Sequence, residues 1–401
     1  MSNVEIPYGA YWSTPFSKWQ GSLQHLNSVQ FAAWVAKREL VKRSIAPEVI
    51  DAAVLGISVP QNHSFYGTPW MTGMMGIMKA PGTMVSQACA SGVRAVMTGA
   101  HEIQAGLAQT MLVVTADRCS NGPHLYYPAP NGPGGTGEHE DWVLDNFSNE
   151  PLGGHAMLNT AENVAARHGF TTAQQHDLVL RRYEQYTDAL ANDNAFQKRY
   201  MTLPFEVPAR NYKKTDRTIA GDEGVFPSTA EGLAKLKPVI QGGTVTFGGQ
   251  THTADGNAAL IVAGEARAKE LSRNPAIRVE MLAYGQARAE LAYMPEATLP
   301  AAHCALKNAG LTVKDIKAVK THNPFAVNDL FLSRELGFPL ERMNNYGSSL
   351  IWGHPQAPTG ARSIIELIEE LVIGGGGIGL FTGCAAGDSA MSVILKVSDR
   401  K

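Results

Sequence analysis

The feature that most constrains this sequence is a motif that occurs twice. In the first half Cys89 precedes Ser91-Gly92-Val93-Arg94, followed by a helical pattern, a glycine and a strand. In the second half His354 precedes Thr359-Gly360-Ala361-Arg362, followed again by a helical pattern, glycines and a strand. The offset from reactive residue to tetrad differs between the halves, and an α/β chain can produce such an echo by chance. The shared small-Gly-x-Arg tetrad nevertheless favours a duplicated βαβ-type half. The surrounding pattern agrees. Residues 53–59 and 111–115 read as strands, and 93–105 as a helix ending near Gly106. Residues 361–373 read as a helix, 374–377 as its stop and 378–382 as a strand, while the final strand 391–397 turns Ser392 and Lys396 out of the core. Helices alternating with apolar strands predict an α/β fold with buried sheets.

Between the halves lies a different stretch, about residues 118–244. It is rich in Gly, Pro and Asn over 121–137, then carries a charged amphipathic helix over about 172–192. It reads as an insertion over one face of the core, where loops make substrate contacts.

Composition removes several functional classes. With 401 residues, 44% of them hydrophobic, the chain can bury a large core. A formal net charge of −2 gives no global basic surface for nucleic acid or an anionic membrane. No apolar run reaches the roughly 20 residues of a membrane helix, and residues 1–11 lack the pattern of a signal peptide. Cys89, Cys119, Cys304 and Cys384 form no C-x-x-C pair. A disulfide scaffold or structural zinc site is therefore not expected, and a reducing cytoplasm fits best.

Four segments carry candidate chemistry. In Gln87-Ala88-Cys89-Ala90-Ser91-Gly92 the cysteine sits at a strand-to-helix turn, where the helix dipole is expected to lower the thiol pKa. From this segment alone, a buried inert thiol is an equal reading. In Trp352-Gly353-His354-Pro355 the histidine is fixed by Gly and Pro before a helix, and its imidazole can take the Cys89 proton. In Thr382-Gly383-Cys384-Ala385-Ala386-Gly387 a cysteine leaves a strand into a small-residue turn whose N–H groups can bind an oxyanion. In Thr321-His322-Asn323-Pro324-Phe325 a His-Asn pair follows the strand 318–320 and can hold a water or a carbonyl oxygen.

Together these segments resemble the thiolase family across nearly the whole chain. Ser13-Thr14-Pro15-Phe16 to Gly21-Ser22-Leu23 is similar to the family's N-terminal segment. Gln87 to Gly92 resembles its nucleophile motif, Thr160 to Ala165 a helix start in the insertion, and Asp255 to Ala259 the strand entering the second half. Asn345 to Arg362, with Gly353-His354-Pro355 inside, is the strongest match. The resemblance implies a five-layer αβαβα fold from two duplicated halves plus an inserted loop domain. The division is 1–117 and 245–270 for the N-terminal half, 118–244 for the loop domain and 271–401 for the C-terminal half. It implies coenzyme A as co-substrate, with no bound cofactor and no metal, and homodimers or tetramers. By position, it makes Cys89 the acylated nucleophile, His354 its activator and Cys384 the acid/base for the α-carbon proton. A thiol pKa of roughly 8.5 suits that last step.

The sequence also departs from the family. His322-Asn323-Pro324-Phe325 replaces Asn-Glu-Ala-Phe, resembling the His-Asp-Cys-Phe of the sterol-carrier-protein branch. The expected oxyanion hole is thus His322 with His354, with Asn323 second. Cys-x-Gly-Gly becomes Cys384-Ala385-Ala386-Gly387, with Gly387 in support and a register slip onto Thr382 as the alternative. Gly249-Gln250-Thr251-His252 replaces the pantetheine-contacting Asn-Ala-Ser-Gly, leaving Thr251 for the Ser. His155, Met157 and Phe325 are expected near the substrate, and Arg210 in a basic run with Lys213, Lys214 and Arg217 at the adenosine phosphates, although a solvated loop is the usual fate of such a run. Trp70, Met71, Met74, Met75 and Met78 read as core or dimer contacts first. The changed motifs, with Tyr126, Tyr127, Trp142 and Phe147 in the insertion, predict a degradative thiolase for a bulky or aromatic acyl group, as in its benzoylsuccinyl-CoA branch. Relatives with the His-type loop imply a small zinc-ribbon/OB-fold partner. The alternatives are a decarboxylating ketoacyl synthase and a non-catalytic acyl-CoA-binding subunit.

Overall fold

The computed structural model describes residues 4–400, so the first three residues of the N-terminal segment read above lie outside the described residues. Strands of both halves join in one 11-stranded sheet. From one edge it runs Ile316–His322, Gly377–Ala385, Ser389–Asp399 and Ile277–Arg288, then crosses the two-residue strand Val4–Glu5. It continues through Ala254–Gly264, Thr110–Arg118 and Ala52–Gly56 to the edge strand Gly82–Val85. The order repeats in kind. Ala52–Gly56 is parallel to both neighbours, as Ile316–His322 is to Gly377–Ala385. In each half an antiparallel pair completes the arrangement, Thr110–Arg118 with Ala254–Gly264 and Ser389–Asp399 with Ile277–Arg288.

Successive residues of these strands enter different cores, because side chains alternate across a sheet. Val113 and Leu260 join the central core, while their neighbours Leu112 and Ile261 pack with the outer helices Ser28–Lys42 and Gly67–Met75. Val393 likewise faces the centre, and Ile394 faces the outer helices Thr298–Ala309 and Ala326–Leu336. The middle layer is the helix pair Ser91–Gln104 and Ala357–Ile373. The second of these is buried at every position from Ala357 to Glu369, as a helix covered on both sides by the strand layers of the two halves must be. The result is the expected five layers, helix–sheet–helix–sheet–helix.

The repeated tetrads mark where the two central helices touch. A Cβ on Gly92 would lie 2.1 Å from the Ala357 carbonyl oxygen, and one on Gly360 would lie 2.7 Å from Val93 Cγ2. Only glycine permits that approach. The helix expected over 361–373 starts earlier, at Ala357, because Pro358 suits a first turn. The glycines after Ile373 end it, three of them with positive φ.

The inserted stretch adds two long helices, Met157–His168 and Thr172–Asn194, two short ones, Leu144–Ser148 and Ala230–Ala234, and two hairpins, His124–Tyr127 with Glu138–Asp141 and Phe205–Pro208 with Thr215–Ile219. Buried ion pairs tie it to the core: Arg182 to Asp329 at 2.9 Å, and Asp222 to Arg362 at 2.7 Å. Met71 and Met75 are core residues, Trp70 and Met74 pack against that core, and Met78 is exposed. Among the described residues, no helix is long and apolar enough to cross a membrane.

Candidate active site

Cys89 lies between the edge strand Gly82–Val85 and the helix Ser91–Gln104. Ala88 takes a φ of 43°, a left-handed turn that non-glycine residues rarely adopt. Ser91 pins it: its hydroxyl accepts the Gln87 N–H and donates to the Ala88 carbonyl, both at 2.7 Å. Gln87 in turn accepts from Arg94 of the tetrad at 2.7 Å. The turn thus presents the thiol to a cavity rather than to the sheet.

Two histidines face that thiol. His322 ends the strand Ile316–His322, and His354 follows Gly353, whose φ is 95°. Their rings stack with centroids 4.0 Å apart. The Cys89 sulfur and one ring nitrogen from each histidine all lie within 4.8 Å of one another. Each ring is oriented through Nδ1. His354 Nδ1 is 2.6 Å from Thr359 Oγ1, and His322 Nδ1 is 2.8 Å from Ser349 Oγ. Both Nε2 atoms are buried and without a hydrogen-bond partner. Unpaired buried polar atoms are costly, and these two lie beside the Cys89 sulfur. The same donor set has zinc-ligand chemistry and is the one such cluster among the described residues.

Burial sets the protonation states. It pushes the Cys89 thiol up to about 11, against the lowering effect of the Ala386 and Cys89 backbone N–H groups. The sequence expectation of a lowered thiol pKa is therefore overturned. The helix terminus is present, but desolvation of the thiolate outweighs it. Burial also drops His354 to about 3 and His322 well below its ordinary value, the latter helped by its histidine neighbour. At rest the site is neutral: a thiol beside two neutral imidazoles.

Cys384 is buried near the end of the strand Gly377–Ala385 and accepts from Asn328 Nδ2 at 3.2 Å. Burial and the nearby Cys89 raise its pKa. Thr382, two residues earlier, is occupied within the fold: it donates to the Thr298 carbonyl at 3.1 Å and accepts from Ser392 at 2.7 Å. Asn323 is also occupied. Its amide donates to Asp329 at 2.7 Å and its oxygen accepts the Leu350 N–H at 3.1 Å, so it reaches the site through Ser349. Gly387 lines the cavity with a φ of 78°, whereas the backbone group acting on the Cys89 sulfur belongs to Ala386.

Cys89 and His354 open into a cavity of about 650 Å³. Its walls include Trp142, Phe147, Met157, Met294 and Phe325, with Thr251 and Gln356 among the polar groups. The insertion supplies Trp142, Phe147 and Met157. The aromatic lining expected from Tyr126 and Tyr127 is not found. They are 61% and 47% exposed on a hairpin and line no part of the cavity. His155 stands just before the lining residue Ala156 but is not itself in the wall. Arg210 is exposed and outside the wall, near enough to Arg118 to lower that group's pKa. Lys213, Lys214 and Arg217 are likewise exposed.

The sequence reading missed Gln356, Asn328 and Ser349. Gln356 follows Gly353-His354-Pro355 directly, and that adjacency was the available signal. The other two are brought in by folding alone.

A duplicated five-layer α/β core thus gathers Cys89, Cys384 and two histidines near one another. The family model "Thiolase, N-terminal domain" matches residues 10–266, and "Thiolase, C-terminal domain" matches 276–397. The chain belongs to the thiolase family. It is 29% identical to an acetyl-CoA acetyltransferase of Allochromatium vinosum over 385 residues, 94% of this chain and 95% of the relative. It is 28% identical to the human mitochondrial 3-ketoacyl-CoA thiolase over 391 residues, 96% of each. A crystal structure of that human enzyme superposes with a TM-score of 0.89 at 27% identity, covering 98% of this chain and 99% of the other. The human enzyme in complex with CoA gives 0.87 at 26% identity, covering 98% of each chain.

Proposed function

We propose that this chain cleaves 3-ketoacyl-CoA thioesters carrying a bulky or aromatic acyl group, through an acyl-enzyme on Cys89. The observation that carries the proposal is the convergence of the Cys89 thiol with two unpartnered imidazole Nε2 atoms, Cys89 and His354 of this trio lining a cavity also walled by Trp142, Phe147 and Phe325.

Cys89 attacks the 3-keto carbon while His354 takes its proton. The developing oxyanion is held by donors on this side of the cavity, with His322 Nε2 the foremost. The bond between the α- and β-carbons breaks, its electron pair passes to the thioester enolate, and Cys384 protonates that enolate. The coenzyme A thiol then takes the acyl group from Cys89. Thr251 and Met157 line the path of the thioester arm, His155 stands behind Met157, and the Arg210 run meets the adenosine phosphates. Cys384 disfavours a decarboxylating synthase, which would need a histidine or asparagine in its place.

The assembly is a homodimer or a tetramer. The edge strand Gly82–Val85 and the exposed side chains of Phe65 and Met78, 92% and 79% exposed, support pairing between copies. A small zinc-ribbon/OB-fold partner and a cytoplasmic setting belong to the same proposal. Light scattering of the purified chain, with and without such a partner, tests the assembly.

Incubation with 3-ketoacyl-CoAs of graded bulk, followed by intact-mass and peptide mass spectrometry, tests the function. The expected result is an acyl adduct on Cys89, with turnover favouring aryl substrates. An adduct on Cys119 or Cys304 refutes the nucleophile, and strict preference for acetoacetyl-CoA refutes the substrate class.

A further inference from the structure

Gln356 is buried, 4% exposed, and touches the reacting atom: the Cys89 thiol donates to its Oε1 at 3.2 Å. Its backbone takes φ 63° and ψ −111°, a conformation that is uncommon for a residue with a side chain. Surrounding bonds hold it there. Gln356 caps the central helix Ala357–Ile373, and its carbonyl accepts the Thr359 N–H at 3.1 Å. The next residue, Ala357, donates its N–H to Asp117 at 3.0 Å, and the Asp117 carboxylate is also held by the N–H groups of Ser58 and Val59. Strain kept up by buried bonds on both sides points to a placed side chain.

The placement has a consequence for the proton. At rest the thiol hydrogen points at the Gln356 oxygen, and His354 Nε2 has no partner. No formed hydrogen bond joins Gln356 to His354, yet the amide already favours the charged form of that histidine. One carbonyl oxygen thus stands within the influence of both ends of the proton transfer.

We infer that Gln356 is a further catalytic residue, whose Oε1 accepts the Cys89 S–H at rest and the His354 Nε2–H once the proton has moved. In acylation from an acyl-CoA, the sulfur–carbon bond forms, the thiol proton passes to Nε2 of His354, and the carbonyl electron pair moves to the carbonyl oxygen. Oε1 exchanges one donor for the other, so neither the amide oxygen nor the new imidazolium is left unpaired among buried groups. When the tetrahedral adduct collapses, the proton leaves on the coenzyme A thiolate. The role rests on the assignment of Cys89 and His354 proposed above.

The test compares two variants of nearly equal size by single-turnover acylation from acetyl-CoA, read by intact mass. Gln356→Met removes the acceptor; Gln356→Glu keeps an acceptor oxygen. Losing a hydrogen bond to a group that becomes charged should slow acylation by roughly ten- to a hundredfold in the Met variant. The Glu variant should retain most of the rate, and KM for the acyl-CoA should stay near the wild-type value in both. Acylation within about threefold of wild type in Gln356→Met overturns the role. So does an equal loss in both variants with unchanged circular dichroism, because that describes a merely structural residue. If the Met variant does not fold, the Glu variant decides alone: a retained rate supports the role and a tenfold loss overturns it. A wild-type adduct on a different cysteine would instead be a failure of the nucleophile assignment.

Discussion

Removing the His322 imidazole tests the oxyanion site most directly. His322 is 2% exposed, its Nε2 has no protein partner, and its ring stacks on His354. Burial and the adjacent His354 hold it well below its ordinary pKa, so it is neutral throughout the working pH range. A neutral donor in a water-poor site acts on the charge that develops in the transition state. Loss of one such donor costs about 2.7–4 kcal/mol, or roughly a hundred- to a thousandfold in kcat. With Nε2 as the N–H, His322 Nδ1 accepts the Ser349 hydroxyl; in His322→Ala that hydroxyl can turn to Asn323 Oδ1 at 3.1 Å while still accepting the Asn323 N–H at 3.1 Å, so none is stranded. The fold should therefore survive, as circular dichroism and Tm would report. The assay is steady-state thiolysis of a 3-ketoacyl-CoA, with kcat and KM resolved separately. The expected outcome is a parallel fall in kcat and kcat/KM, because the interaction belongs to the transition state. His322→Asn, which restores a shorter donor, should recover part of the rate. A kcat for His322→Ala within about threefold of wild type would refute the reasoning and pass the role to the Ala386 and Cys89 backbone N–H groups.

Cys384→Ser should lose thiolysis yet still allow Cys89 to be acylated from a simple acyl-CoA, which needs no carbanion chemistry; retained thiolysis would place the acid/base elsewhere. Alkylation of free Cys89 by iodoacetamide should keep climbing as pH rises past 9, because burial raises the thiol to about 11 and an acid with a raised pKa gives up its proton later. A plateau reached below pH 8 would reveal a thiolate–imidazolium pair instead. Arg362→Met should destabilise the protein by about 3–5 kcal/mol in urea unfolding, since it removes the cation paired with the buried Asp222 carboxylate and leaves Glu366 with Lys320 alone of its two cations. A loss under 1 kcal/mol would show that these carboxylates are neutral or hydrated in the folded protein.

The family and the duplicated core were legible in the sequence because their signals are local. A strand ends, a cysteine or histidine follows, and a small-Gly-x-Arg tetrad opens a helix. Glycine is demanded at Gly92 and Gly360 by the contact between the two central helices, so the sequence had to display the duplication at those positions. His322 and His354 could be paired only through the family resemblance, since no local pattern connects residues so far apart in the chain. Tertiary structure decided the rest. The thiol pKa was misjudged because a helix terminus is visible in sequence, while the desolvation that outweighs it depends on which segments cover the site. Tyr126 and Tyr127 were expected to line the pocket, and their hairpin turns them to solvent, because hydropathy does not say which way an inserted loop folds back. Gln356 meets Cys89 only because helices from the two halves begin at the same place in the folded protein. Residue types and helix starts are written along the chain. The pocket they form, and the direction each proton points within it, exist only once the two halves close on one another.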